Sequence, residues 1–385
     1  EFVNDGEWKE KTIGKFIKER NEISNGEYPL YSLTIENGVT PKTGRYERAF
    51  LVKDETDAYK LAYPNDFAYN PMNLRFGAIA QFRGRVTVAL SKYYNIFYCD
   101  KSVDSRFCEI YFKSSQMLLI YDDIATGSLI EKRRVHFSEF LTLEILFPKK
   151  VEQQKIASCL SSLDELIAAH KDKLDALKDH KKGLMQNLFP QEGETVPKIR
   201  FSEFEGDGEW VENALNDFCF NISSGKDKNQ DNGEYDLYGS TGIIGKTEIP
   251  SFEGDYILVA RVGANAGLLN RAIGQFGVTD NTLVVNLKEP EKIDFIFYSL
   301  AKIGLNKLVF GSGQPLVTGK QLKELVVPTP KNPEEQQKIA SCLSAVDELI
   351  TAQTDKIEQL QQHKKGMMQG LFPNPSASSG ETIER

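Results

Sequence analysis

The sequence is poor in the residues from which metal centres and disulfide frameworks are built. Its 385 residues hold five cysteines, four histidines and two tryptophans. Cys99, Cys108, Cys159, Cys219 and Cys342 are far apart and odd in number, with no CxxC pair and no His/Cys cluster, which argues against zinc and against a disulfide scaffold. No run of 18 apolar residues exists and no signal peptide is visible, so neither a transmembrane helix nor secretion is expected, and a reducing cytoplasm fits. The chain opens on Glu1-Phe2 rather than on Met, which suggests a natural start further upstream. GxSxG, HExxH and GxxxxGK[ST] motifs are missing, and neither Asn70-Pro71-Met72 nor Asn332-Pro333-Glu334 matches the Asn-Pro-Pro-Tyr/Phe motif of amino-group methylation. Phe310-Gly311-Ser312-Gly313-Gln314-Pro315 is glycine-rich, but Gln-Pro interrupts the helix start that a nucleotide loop needs, so it reads as a surface turn. An excess of positive charge is lacking too. A net charge of −8 lowers the expectation of a nucleic-acid binder, without excluding one that uses local basic surfaces or a partner's.

What the sequence does contain is a repeat. Glu152 to Pro190 returns 183 positions later as Glu335 to Pro373, with 27 of 39 positions identical and no gaps. In the first copy Ile156, Leu160, Leu163, Ile167, His170, Leu174 and Leu177 are spaced alternately four and three apart. Ile339, Leu343, Val346, Ile350, Gln353, Ile357 and Leu360 repeat the spacing. This is a coiled-coil seam, and each copy predicts a helix of roughly 55 Å ended by Leu-Phe-Pro. An apolar stripe needs a partner, and the other copy is the nearest one. Two unrelated helices, each packed on its own domain, would not explain the near-identity. His170 and Gln353 read as polar seam residues that set register, and Cys159 and Cys342 as small buried hydrophobes.

The repeat extends beyond the helix. Glu1-Phe2-Val3-Asn4-Asp5-Gly6-Glu7-Trp8 aligns at an offset of 202 with Glu203-Phe204-Glu205-Gly206-Asp207-Gly208-Glu209-Trp210. The expected organisation is a globular domain over 1–150, a long helix over 151–190, a linker (Gln191 to Lys198) and second domain over 191–330, a second helix over 331–373 and a disordered tail over 374–385. Within the domains, 77–80, 85–90, 95–99, 107–112, 256–261 and 282–286 read as strands, and 293–305 and 319–325 as short helices. The result is a mixed α/β domain with a mainly antiparallel sheet. Asn25-Gly26-Glu27-Tyr28 and Asn232-Gly233-Glu234-Tyr235, each followed by Leu-Tyr, mark two domains of related fold with diverged surfaces.

Polar and basic residues with interspersed glycines suit phosphate contact and base reading, Arg to guanine and Asn or Gln to adenine. The first domain offers Lys42, Arg45, Tyr46, Arg48, Arg75, Arg83, Arg85, Lys92, Arg133 and Arg134. The second offers Lys226, Ser240, Thr241, Lys246, Arg261, Asn265, Asn270, Arg271, Gln314 and Lys320, with Thr279-Asp280-Asn281 beside them. Any one of these could be a solvated surface charge; as clusters on two diverged domains they favour DNA contact.

The two Glu-Gln-Gln-Lys-Ile-Ala…Leu-Phe-Pro helices, the Leu-Lys-Glu-Leu-Val-Val-Pro-Thr-Pro run before the second, Tyr238 to Gly245, Asp255 to Gly263 and Thr279 to Leu283 together resemble the specificity subunit of type I restriction–modification systems, over essentially the whole chain. The resemblance implies an α+β fold in which two target-recognition domains are separated by paired antiparallel coiled-coil helices with pseudo-two-fold symmetry. It implies that each domain reads one half of a split double-stranded DNA target, and that the helices set the spacing and dock two methyltransferase subunits. It further implies restriction (translocase and nuclease) subunits as partners. No catalytic residue, metal or cofactor is implied for this chain itself, with S-adenosylmethionine, ATP and Mg left to the partners. The alternative from another class is a non-catalytic coiled-coil scaffold whose two domains bind proteins or carbohydrates.

Overall fold

A computed structural model describes residues 7–25, 27–42, 59–129, 133–309 and 315–372. The expected tail therefore lies outside the described residues, as do Arg45, Tyr46, Arg48, Gln314 and most of the 310–315 turn. The chain forms two units. The first comprises residues through Ala169 together with those from Ile357 onward, and the second runs from His170 to Lys356.

In chain order the first domain contains β1 (Lys9–Thr12), β2 (Ile17–Arg20), β3 (Tyr31–Thr34), β4 (Gly38–Pro41), β5 (Tyr59–Ala62), β6 (Phe67–Tyr69), β7 (Ile79–Gln81), β8 (Val88–Ser91), β9 (Asn95–Cys99), α1 (Ser105–Phe112), α2 (Ser115–Ile124), α3 (Phe137–Thr142) and β10 (Glu144–Phe147). The first long helix is α4 (Lys150–Asn187). The second domain contains β11 (Val211–Ala214), α5 (Leu215–Phe218), β12 (Cys219–Ser224), β13 (Tyr235–Gly239), β14 (Gly242–Thr247), β15 (Phe252–Ala260), β16 (Leu269–Val278), β17 (Thr282–Leu287), α6 (Ile293–Ile303), α7 (Gly319–Lys323) and β18 (Val326–Thr329). The second long helix is α8 (Pro333–Leu371).

The two domains follow one plan. A four-stranded sheet ordered β2-β9-β6-β7 in the first corresponds to β12-β17-β15-β16 in the second, where β13 and β14 extend it to six strands. A two-stranded clasp, β1 with β10 or β11 with β18, brings the entry and exit of each domain together. All named strand pairs are antiparallel except β13 with β16. Aromatic rings fill the first core: Phe67 stacks on Phe97 at 5.1 Å, and Phe107, Phe112 and Phe140 are fully buried around them. Each such side chain contributes roughly 1.5–3 kcal/mol through burial.

The helices answer the seam pattern. In the first unit Ile156, Ala157 and Leu160 near the start of α4 share a core with Met367, Met368, Leu371 and Phe372 near the end of α8, and Asp164 pairs with Lys364. In the second unit Ile339, Ala340 and Leu343 share a core with Leu184, Met185, Leu188 and Phe189, and Asp347 pairs with Lys181 at 2.6 Å. The start of each helix meets the end of the other, so the pair runs antiparallel. Every seam residue named above is buried or half-buried. At the middle, the Gln353 amide donates to His170 Nδ1 at 2.6 Å and to the His170 carbonyl at 2.8 Å. That polar contact fits one register of two otherwise near-identical stripes.

Some expectations fail locally. Residues 107–112 form α1 rather than a strand: Asp104 caps the helix by accepting from the Arg106 and Phe107 amides, and Phe107, Cys108, Tyr111 and Phe112 are buried at helical spacing. The strand expected at 85–90 is Val88–Ser91, and that at 77–80 begins at Ile79. The helix expected over 293–305 stops at Ile303, because Gly304 adopts a left-handed φ of 74°. Cys159 is exposed and Cys342 only half-buried, since both stand beside the seam rather than in it.

Candidate nucleic-acid interface

Backbone hydrogen bonds gather the polar loops of the second domain at one end of its sheet. The Arg261 amide donates to the Asn281 carbonyl at 2.8 Å, and the Thr279 amide to the Tyr238 carbonyl at 3.0 Å. The Val317 amide donates to the Arg261 carbonyl at 2.8 Å, the Gly263 amide to the Pro315 carbonyl at 3.0 Å and the Gly225 amide to the Thr282 carbonyl at 3.2 Å. Two glycines make this closeness possible. A Cβ on Gly225 would stand 1.9 Å from the Val278 carbonyl oxygen, and one on Gly267, at φ +89°, 2.5 Å from the Asn306 amide.

This assembly brings together Lys226, Ser240, Thr241, Arg261, Asn265 and Asn270. Lys226, Thr241 and Asn265 are exposed, while Ser240, Arg261 and Asn270 are half-buried. The Asn270 side-chain oxygen Oδ1 lies 3.6 Å from where a Cβ on Gly242 would sit, so the hairpin tip rests against it. Lys320, exposed on α7, ion-pairs loosely with Glu324 at 3.7 Å.

Two cations proposed from sequence are engaged elsewhere. Arg271 follows Asn270 on β16 and so faces the opposite side of the sheet. Its guanidinium is held by Asp255 (Nε to Oδ1, 2.8 Å) and by Asp294, and these carboxylates, Asp255 first, hold its pKa above the ordinary arginine value. Lys246, at the far end of β14, pairs with Asp236 at 2.7 Å. Both cations are therefore ion-paired with acidic neighbours in this chain.

The first-domain candidates separate into two groups. Arg75 and Arg133 converge on Asp122 of α2, at 3.0 and 3.6 Å; Arg133 also donates to the Ala125 carbonyl at 3.0 Å, and Arg75 lies over the Phe76 ring. They bind the α2 end to its flanking loops, with Arg134 exposed beside them. Arg83 pairs with Glu109. Lys42 and Lys92 lie elsewhere: the Lys42 amide donates to the Leu30 carbonyl at 2.9 Å, and Leu30 bridges Ala89 of β8, the strand that ends at the turn carrying Lys92. Next to Lys92, Tyr93 is 78% exposed. Composition alone could not single out Tyr93; its place at a strand-entry turn does.

Residues 208–362 match the family model for the type I restriction modification DNA specificity domain. The chain is similar in this span, and beyond it, to specificity subunits of type I restriction–modification systems. The MjaX specificity subunit of Methanocaldococcus jannaschii is 28% identical over 265 residues, 63% of this chain and 61% of that one, so this alignment spans less than two thirds of the relative. The MjaVIII specificity subunit of the same organism is 26% identical over 414 aligned positions, covering 95% of this chain and 92% of that one. Among solved structures, the type I S subunit from M. genitalium shares the fold with a TM-score of 0.65 at 16% identity, covering 97% of this chain and 98% of that one. Among the described residues, no helix is long and apolar enough to cross a membrane.

Proposed function

We propose that this chain is the non-catalytic DNA-recognition subunit of a type I restriction–modification complex, each domain reading one half of a bipartite target. The observation that carries this reading is the repeated unit itself. Two domains share one sheet order, yet their exposed loops differ, while the helices that bear them are nearly identical. A fixed scaffold with variable surfaces is what two half-site readers require. The paired helices, 38 and 39 residues long and each unbroken, act as a spacer of roughly 57 Å. They also offer docking surfaces to methyltransferase subunits, and restriction subunits complete the assembly. A solved chain at 16% identity and a TM-score of 0.56 comes from work on complex assembly of the type I R-M system, which supports such partners here. S-adenosylmethionine, ATP and Mg belong on this reading to those partners, and the chain operates in the cytoplasm beside its DNA.

The experiment replaces residues 204–330 with the corresponding domain of a relative and maps methylated sites with the cognate methyltransferase subunits. One half of the recognised sequence should change and the other persist; an unchanged sequence, or a change in both halves, would refute independent readers. DNA binding by the complex should also fall steeply with added salt, as phosphate contacts dictate and a protein or sugar scaffold would not.

A further inference from the structure

We propose that one turn, equivalent in the two domains, is the base-reading element of each: Ser91–Tyr94 in the first and Thr279–Thr282 in the second. This rests on the DNA-reading function proposed above and assigns it to particular side chains.

The equivalence follows from the ladders. Leu30 and Leu237 occupy the same place in the repeated Asn-Gly-Glu-Tyr-x-Leu-Tyr motif. Leu30 forms a parallel bridge to Ala89 and Leu237 pairs in parallel with Gly277, in each case two residues before the turn begins. The tyrosine after each leucine meets a phenylalanine edge-on, Tyr31 with Phe82 at 5.5 Å and Tyr238 with Phe276 at 5.4 Å. Each turn is closed by the same hydrogen bond, from the Tyr94 amide to the Ser91 carbonyl at 3.0 Å and from the Thr282 amide to the Thr279 carbonyl at 3.2 Å. Each then enters the strand second in its sheet, β9 or β17, whose Ile96 and Phe97, or Leu283 to Val285, are buried.

A short turn on so rigid a strand holds its side chains in fixed positions, as a reader of base edges must. The exposed pair at its tip differs in chemistry between the domains: Lys92 and Tyr93 in one, Asp280 and Asn281 in the other. In the major groove an ammonium suits guanine O6 and N7, a carboxylate accepts from the cytosine amino group and a carboxamide fits adenine. Different half-sites are therefore expected from one scaffold. A second observation comes from buried polar atoms. Thr279 Oγ1, at the start of the second turn, and Nδ2 of Asn270 on the strand next to it are buried without a hydrogen-bond partner among the described residues, each on a side chain that is only half-buried overall. Such groups are rare in native proteins and ask for an explanation, and an interface that brings ordered water and polar base edges supplies the missing partners. Arg261, whose backbone holds Asn281, stands beside the tip for phosphate contact.

The test exchanges the tips within the complete methyltransferase complex, as D280K/N281Y and separately K92D/Y93N, and maps methylated sites in genomic DNA. Altered bases in the half-site of the exchanged domain alone are expected; sites unchanged in both exchanges would overturn the proposal. Where an exchange abolishes methylation, N281A and Y93A decide, with thermal melting as the check on folding. Discrimination at one base pair falling about tenfold to a hundredfold supports the assignment, and undiminished discrimination overturns it. If replacing the whole domain changes a half-site while the turn exchanges do not, this assignment fails and the two-reader function stands. If the whole-domain replacement also changes nothing, that function is itself refuted.

Discussion

The two units bury the same glutamate and satisfy it differently. Glu152, at the start of α4, accepts a hydrogen bond from Trp8 Nε1 at 2.9 Å. Its counterpart Glu335, at the start of α8, holds Arg200 at two points, 2.8 and 2.6 Å, with side chains only 1% and 7% exposed. Arg200 also donates to the Gly208 carbonyl at 2.6 Å, and the Nε1 of Trp210, the counterpart of Trp8, is buried without a partner among the described residues. Both tryptophans nonetheless keep one packing contact, Trp8 on Phe372 and Trp210 on Phe189, each edge-on near 6 Å. The repeat thus preserves the packing and the demand of a buried carboxylate for a donor, while the donor itself has been exchanged.

This difference predicts unequal sensitivity. Arg200→Ala leaves Glu335 charged and buried, and should cost about 3–5 kcal/mol in urea unfolding. Trp8→Phe removes a single hydrogen bond to a less enclosed carboxylate and should cost about 1–3 kcal/mol. The double change R200M/E335L should cost less than Arg200→Ala alone, because no charge is then stranded. Equal losses from Arg200→Ala and Trp8→Phe would show that the two sites are equivalent despite their different donors.

The neighbouring glutamines give a smaller contrast. Gln153 donates to the Pro148 carbonyl at 2.8 Å and accepts from the Asp104 amide at 2.8 Å, so it joins α4 to the cap of α1. Gln336 donates to the Pro330 carbonyl at 2.9 Å, and its own oxygen is buried without a partner among the described residues. Gln153→Ala should therefore cost about 2 kcal/mol and Gln336→Ala about 1 kcal/mol. The reverse order, measured by the same unfolding curves, would mean that a bound water already satisfies Gln336 and that the asymmetry is apparent only.

How far such contrasts can be read from sequence depends on the range of the interaction. The long helices are legible because their signal is local and repeated: a four-three spacing, a near-identical second copy and a terminal Leu-Phe-Pro. Residues 107–112 mislead because aromatic and β-branched content outweighs the one residue, Asp104, that starts a helix there. The glycine-spaced loops of the second domain were visible as a group, since spacing shows where backbones approach. Which cations are available was not visible. Arg271 meets Asp255 across a strand pair and Asp294 from α6, and Arg75 meets Asp122 from 47 positions away. Nor could sequence reveal that Lys92-Tyr93 and Asp280-Asn281 occupy one turn, because their identities share nothing and only the ladders align them.

The smallest contrast lies between the helices. Lys364–Asp164 and Lys181–Asp347 are the same ion pair in the two copies, both across the helix pair and both partly exposed. Alone, such a pair contributes about 0.2–1 kcal/mol and is weakened by salt. The second copy has an addition. The Tyr298 hydroxyl donates to Asp347 at 2.8 Å, and the Lys181 ammonium lies 5.3 Å from the centre of the Tyr298 ring. Cation–π attraction at a partly exposed site adds about 0.5–1 kcal/mol. Lys181→Ala should therefore cost more than Lys364→Ala by a few tenths to 1 kcal/mol, and the excess should persist in 1 M salt, where the simple pair is screened. Tyr298→Phe keeps the ring and removes only the hydroxyl, so most of the excess should survive it, whereas Tyr298→Leu should bring the two lysines level. An excess that vanishes in Tyr298→Phe would assign it to the hydrogen bond on Asp347 instead of to the ring.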